Sequence, residues 1–168
     1  MTWENKQIVG DMLPALEEVN FQKHPVRYKR YRYLVSGMVW FIPLTAVVIL
    51  NISLEGYWRF LTIGLMLILI AFNFASIRIG FSRRGYALRE RDLTYRKGWI
   101  FFSTTTLPFN RIQHTEVSQG PIEKKFDLCT LKIFTAGGST SDLSIPGLEE
   151  EEAQQLRDFI SKKAAIYA

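Results

Sequence analysis

The sequence predicts an α+β membrane protein: a two-helix transmembrane hairpin followed by a small β-rich domain that a C-terminal α-helix caps. Three observations carry this. Residues 34–54 form 21 consecutive uncharged positions, residues 60–77 form another 18, and beyond residue 79 the apolar pattern changes from continuous to alternating. Both runs reach the length needed to cross a hydrocarbon core of about 30 Å at about 1.5 Å rise per residue. The averages hide this, because 48% hydrophobic and 22% charged would suit an ordinary soluble domain. Three regions follow: an amphipathic and basic N-terminal segment (1–33), an anchor (34–79, with helices over 34–54 and 58–79), and a cytoplasmic domain (80–168).

Charge orients the anchor. The net charge of +5 arises from two clusters just outside the apolar runs. Residues 20–33 carry Lys23, Arg27, Lys29, Arg30 and Arg32 with no acid. Residues 78–97 carry Arg78, Arg83, Arg84, Arg89, Arg91, Arg96 and Lys97 against Glu90 and Asp92. Basic residues beside membrane helices stay cytoplasmic, so both termini are expected on the cytoplasmic side of the cell membrane. Glu55 to Arg59, between the runs, sum to zero and are expected outside, where Tyr57 and Trp58 suit the interface. A signal peptide does not fit: the first run starts after 33 residues, is too long, and lacks a small-x-small cleavage site near Asn51.

Neither run contains Asp, Glu, Lys, Arg or His, which an ion or proton path normally needs, so the pair reads as an anchor. Asn73 is expected to bond the partner helix or headgroups, and Pro43 to kink the first helix. Ala71 and Ala75 form a small-xxx-small pair suited to close helix packing. Ahead of the anchor, Ile8, Val9, Met12, Leu13, Leu16 and Val19 recur at helical spacing, interrupted by Pro14. That segment either lies on the membrane or packs on the domain.

In the domain, Tyr86 to Arg89 and Leu93 to Arg96 alternate across Glu90-Arg91-Asp92, a hairpin pattern. Lys97-Gly98 turns into a strand from Trp99 to Leu107, closed by Pro108. Ile112 to Val117 and Leu128 to Thr135 read as strands, Gly137-Gly138 as a hairpin turn, and Leu143 to Ile145 as a strand stopped by Pro146-Gly147. A helix from about Glu149 to Ala164 has an acidic start, a basic end, and an apolar stripe of Ala153, Leu156, Phe159 and Ile160. Six or seven strands plugged by one helix describe a partly open barrel or a sandwich.

One ordered set of residues is more specific. Leu107-Pro108-Phe109-Asn110-Arg111-Ile112-Gln113 is followed by Gly120-Pro121-Ile122, then Phe126, Leu128, Leu131, Ile133, Thr135-Ala136-Gly137-Gly138 and Ile145-x-Gly147, with His24-Pro25 ahead of the first helix. The set resembles the bacterial pleckstrin-homology (PH) domain membrane proteins of the YdbS-like family, over roughly residues 24–163. The resemblance implies that the β-rich domain is a PH-like sandwich or barrel. It also implies a partner class, a larger multi-PH-domain membrane protein of the same family. Three positions depart from the pattern. Asp127 stands where the family usually has Gly, and Lys125 where Arg is common. Phe101-Phe102-Ser103 replaces a more polar segment, which weakens any phosphate site on that strand.

Catalytic chemistry has few residues to use. The chain has two histidines, His24 and His114, and one cysteine, Cys129. A metal site normally needs three or four convergent ligands, and His114 with Glu116 makes two. Cys129, in the apolar stretch Leu128-Cys129-Thr130-Leu131, reads as a packed small hydrophobe rather than a nucleophile based by His114. Glu149 to Glu152 read as a solvated helix start, and Gly137-Gly138 lacks the Lys and Ser/Thr of a phosphate loop. No enzymatic activity, metal, cofactor or nucleic-acid partner is expected. Arg111 has two readings: locking a loop through backbone carbonyls or an acid, or holding a phosphate or carboxylate bidentately.

The expected function is a non-enzymatic, membrane-anchored binding or scaffold module that docks another membrane protein of the same family. The alternatives are an anionic-lipid sensor using Arg83, Arg84, Arg89, Arg91, Arg96 and Lys97, or an accessory subunit of a transporter. Trp99, Ile100, Phe101 and Phe102 are the candidate partner or membrane contact. Four large apolar residues in a row leave at least two pointing away from the core of a half-buried strand. Their cover would be the N-terminal segment, the C-terminal helix, the headgroup region or a partner. Pro108, Arg111, Ile112, Gln113, Gly120, Phe126, Gly137 and Gly138 are assigned to the family motif, with structural roles.

Overall fold

The computed structural model describes residues 20–53, 55–136 and 141–167. Two antiparallel helices come first, α1 (Val26–Ser53) and α2 (Tyr57–Ser82). Each holds a stretch long and apolar enough to cross a membrane, Val26–Ile52 and Tyr57–Ser82, and of the 18-residue apolar window within each only 0% and 11% is buried by the protein itself. A core helix of a soluble protein would show the reverse. α1 begins within the basic segment, so Arg27, Lys29, Arg30 and Arg32 occupy its first two turns, and Pro43 sits inside it without ending it.

Polar side chains tie the two helices near both ends. Asn51 Nδ2 donates to Thr62 Oγ1 at 3.1 Å, and Ser36 Oγ donates to Asn73 Oδ1. Asn73 thus bonds the partner helix. Met66 and Ile77 are buried in the same seam. Ala71 and Ala75 are exposed instead of packed on α1. Each lies two residues from Asn73, about 200° round the helix, so the polar seam turns them outward. The candidate amphipathic residues 8–19, and Gly137 and Gly138, lie outside the described residues.

Two residues beyond α2 the chain enters β1 (Gly85–Leu88), β2 (Asp92–Lys97) and β3 (Ser103–Pro108), an antiparallel sheet in that order. A 3₁₀ turn (Phe109–Arg111) leads to β4 (Ile112–Ser118), the one-turn helix α3 (Pro121–Lys124), β5 (Leu128–Thr135) and β6 (Leu143–Glu149), the second antiparallel sheet. α4 (Glu150–Tyr167) closes the domain. Leu131 and Ile133 of β5, two apart and therefore on one face, meet Ile145 of β6 and Ala153 and Ile160 of α4 in a core where all five are fully buried. The Tyr86 hydroxyl donates to Glu152, tying β1 to α4. This is the predicted α+β arrangement.

Two strands differ from expectation. Trp99 to Phe102 form a turn, and β3 begins only at Ser103. Gly98 has φ 124°, and a Cβ there would lie 1.9 Å from the Phe101 carbonyl oxygen, so the chain reverses too tightly for a strand to start. β6 runs through Pro146-Gly147 instead of stopping before them. Cys129 pairs with Leu148 and Thr130 with Pro146, which leaves Gly147 as an extra bulged residue at φ 79°. Asp127, where the resemblance expects Gly, has φ 53°. Asp is among the few residues that visit this region readily. Its carboxylate also pairs with Arg27 of α1 at 3.6 Å.

Candidate functional site

The domain meets the anchor in one packed junction. The Gln22 backbone exchanges two hydrogen bonds with Tyr86, 2.8 and 3.1 Å, so the segment entering α1 lies beside β1. His24 is buried, its ring 5.1 Å from that of Tyr28 and 6.1 Å from that of Tyr95. Tyr28 is 4% exposed and lies directly on the β6 bulge, where a Cβ on Gly147 would come within 2.2 Å of the ring. Arg84 Nη1 donates to the Tyr28 hydroxyl at 3.3 Å. Burial first, and the Arg84 charge second, push the His24 imidazole down to about 4, with the Gly147 backbone acting weakly the other way. His24 is therefore neutral at physiological pH. Burial likewise pushes the Tyr95 phenol up.

Register divides the second basic cluster. β1 leaves α2 and β2 returns toward it, with Gly85 paired to Arg96 and Leu88 to Leu93. Arg83, Arg84, Arg96 and Lys97 therefore lie at the anchor end, while Arg89 and Arg91 lie at the far turn, Arg89 3.9 Å from Asp92. At the anchor end the Arg96 guanidinium sits over the Phe21 ring at 4.2 Å and that of Arg83 over Phe102 at 5.0 Å. Only Arg83 and Lys97 of these four are exposed. The six basic residues do not form a single headgroup patch.

The β2–β3 turn is the other prominent feature. Trp99 packs on Phe72 of α2, ring centroids 5.2 Å apart, and beside Gly80. Phe72 lies ten residues before the end of α2, about 15 Å along the axis. The turn therefore runs back alongside the apolar helix. Trp99 is half-buried, and among the described residues α2 supplies its cover. Ile100, Phe101 and Phe102 remain 59%, 88% and 60% exposed.

Motif residues have local duties. Phe109, after Pro108, is fully buried, Ile112 joins the core, and Gln113 is exposed. The Arg111 carbonyl accepts from the Ala136 N–H at 3.3 Å, so the main chain holds this loop. The Arg111 side chain is exposed. The Gly120 N–H donates to Glu123 Oε2 at 2.8 Å, and Phe126 meets Tyr31 edge-on at 5.9 Å. His114 stacks on Phe134 at 4.2 Å, and Glu116 pairs with Lys132 at 3.3 Å rather than with His114. Cys129 is buried, accepts from Gln119 Nε2 at 3.4 Å, and has its thiol pushed up by burial, opposite to an activated nucleophile. Among the described residues no three His, Cys, Asp or Glu side chains come together as metal ligands.

Sequence reasoning reached the basic residues and the apolar turn but missed the junction. His24 carried a signal, in the His-Pro pair. Tyr28, Tyr95 and Gly147 are far apart in the chain and carried none in common.

A family model described as bacterial PH domain matches residues 32–164. Over 81 residues the chain is 41% identical to the UPF0699 transmembrane protein YdbS of Bacillus subtilis (strain 168); the match covers 48% of this chain and 49% of that protein, about half of each. Among solved structures, a DUF1696 family protein with a pleckstrin-homology domain from Shewanella loihica PV-4 aligns with 52% of this chain and 72% of its own, at 19% identity and a TM-score of 0.36.

Proposed function

The chain belongs to the bacterial PH domain family, and from that premise we propose that it is a non-enzymatic binding module whose PH-like domain is seated on the cytoplasmic face of the cell membrane and engages anionic lipid there. The observation that carries this reading is the β2–β3 turn lying alongside α2, with Phe101 88% exposed. Water is a poor surrounding for three large apolar side chains in a row, whereas the acyl–headgroup boundary suits them. Exposed Arg83 and Lys97 flank the turn, at the level where anionic headgroups contribute about 1 kcal/mol per basic residue. The +5 clusters on the same side of both spans support the cytoplasmic orientation. The non-enzymatic reading is supported by the structural duties of His24, His114 and Cys129.

Spin labels at Phe101 and, as an aqueous reference, Arg91 test it, with the full chain in nanodiscs. The Phe101 label is expected to collide with oxygen in preference to a water-soluble nickel reagent, more so in phosphatidylglycerol than in phosphatidylcholine. Equal, water-like accessibility at both positions would remove the reading.

A second reading is docking of another membrane protein of the same family, a larger one with several PH-like domains. One observation favours it. β3 is a sheet edge whose Ser103, Thr104 and Thr106 are exposed and uncharged, and such an edge can accept a strand from a partner. A photo-crosslinker at Thr104, used in native membranes, is expected to capture a PH-domain protein; capture of lipid alone would discard this reading.

A further inference from the structure

We propose that the cleft between the anchor and the domain is a site for one anionic phospholipid, its phosphate held by Arg32 and an acyl chain lying along Val35, Val39 and Ile77. The proposal deepens the membrane-surface reading above by naming a discrete site separate from the β2–β3 turn. The cleft, about 390 Å³, is walled by α1 and α2 and roofed by Glu123 of α3 and Pro146 of β6.

Its lining changes character along its length. Tyr28, Tyr31 and Arg32 stand at the domain end, and Val35, Val39 and Trp40 continue into the apolar run. The polar groups midway, Ser36 and Asn73, are spent on each other. A ligand that fills this shape carries charge at one end and hydrocarbon at the other.

The domain end has donors in excess. Among the described residues, Arg32 Nη1 and Arg84 Nε are buried with no hydrogen-bond partner. The two guanidiniums lie close enough to repel each other, with the Tyr28 phenol near both. Among the described residues no carboxylate reaches either within ion-pair distance. Glu123, the acid in the wall, already accepts from the Gly120 N–H and from Thr130 Oγ1, at 2.8 Å each. Buried cationic donors normally have an acceptor, and a phosphate is the acceptor that guanidinium geometry matches. Depth selects the source of that phosphate. Arg32 is two residues ahead of the uncharged run that opens at Leu34, so it sits at the headgroup level of the leaflet on the domain side.

The test is native mass spectrometry of the delipidated full chain in detergent, titrated with phosphatidylglycerol, phosphatidylcholine or inorganic phosphate. One phosphatidylglycerol adduct is expected, at least about tenfold tighter than phosphatidylcholine and not displaced by millimolar phosphate. Arg32→Gln should weaken it about tenfold or more. Because Arg32 borders the junction, Val39→Trp is a second arm that alters no charge and blocks the apolar reach; it should weaken the adduct similarly. Lys97→Gln, outside the cleft, should leave it unchanged. Equal affinity for the two lipids, or an adduct indifferent to both cleft variants, would overturn the proposal. Displacement by phosphate would show an anion site without a lipid, which overturns it as well. Any of these failures, with the Phe101 label still in lipid, would leave the membrane-surface reading standing.

Discussion

Replacing Gly147 by Ala tests the junction where anchor and domain meet. The residue is the bulge of β6, at φ 79°, and Tyr28 of α1 rests on it. Ala in the left-handed region costs about 1–2 kcal/mol on backbone grounds alone. The added Cβ would lie 2.2 Å from the Tyr28 ring, so the ring must leave. Exposing a side chain that is now 4% accessible forfeits about 1.5–3 kcal/mol more. The sum, about 3–5 kcal/mol, is large for one methyl group and corresponds to a fall in midpoint of roughly 10 °C. Thermal unfolding of the full chain in detergent, followed by near-ultraviolet circular dichroism, measures it. The double variant with Tyr28→Ala separates the causes, because once the ring is gone the clash is gone. The pair should then be less destabilised than the two singles added, by about 1 kcal/mol or more. A midpoint within about 2 °C of wild type, or strict additivity, would refute the contact as the source of the cost.

Acidification should unseat the junction through His24. Its folded value of about 4 lies below the ordinary 6.5, so between these values the unfolded chain takes up a proton that the folded chain excludes, and stability falls as pH drops. About 2 kcal/mol should be lost between pH 7 and pH 5, and the difference in urea midpoints between wild type and His24→Phe should show it; parallel pH dependences would count against the assignment. Asp127→Gly should relieve the strained backbone while losing an exposed ion pair and adding unfolded-state freedom, so unfolding free energy should stay within about 1 kcal/mol of wild type. Tyr86→Phe should cost about 1 kcal/mol, read by chemical denaturation, because Glu152 loses its donor. Phe101→Ser with Phe102→Ser should leave the midpoint in detergent within about 3 °C, since neither ring is buried by the protein; a fall beyond about 10 °C would place them in the core.

The anchor was legible because its signal is local: an uninterrupted apolar run reads the same in any surroundings. The β1–β2 hairpin and β5 were legible for a related reason, their alternation matching the period of a strand with one buried face. Trp99 to Phe102 misled because high β propensity in four consecutive residues resembles a strand, whereas Gly98 imposes a turn and α2 supplies the surface that Trp99 needs. Pro146-Gly147 misled in the opposite direction. The pair looks like a stop, yet β6 is an edge strand, where a proline without an N–H and a bulged glycine are both tolerated. Basic residues 78–97 could be counted but not placed. Their division into near and far groups appears only once the hairpin register pairs Gly85 with Arg96. The junction was least legible of all, since Tyr28, Tyr95 and Gly147 each look ordinary until the chain closes on itself.

Only two residues separate the end of α2 from the start of β1, and Gln22 fastens the other end of the anchor to the same strand. A domain on a flexible tether would tumble above the bilayer, sampling all attitudes and presenting any given face for a small part of the time. Here the attitude is inherited from the tilt of two helices. Whatever meets the domain from within the same bilayer approaches along two dimensions, toward a surface whose height and heading are already set. Much of the orientational entropy that ordinarily opposes association has thus been spent in folding, so a small contact area can hold a partner that it could not capture from solution.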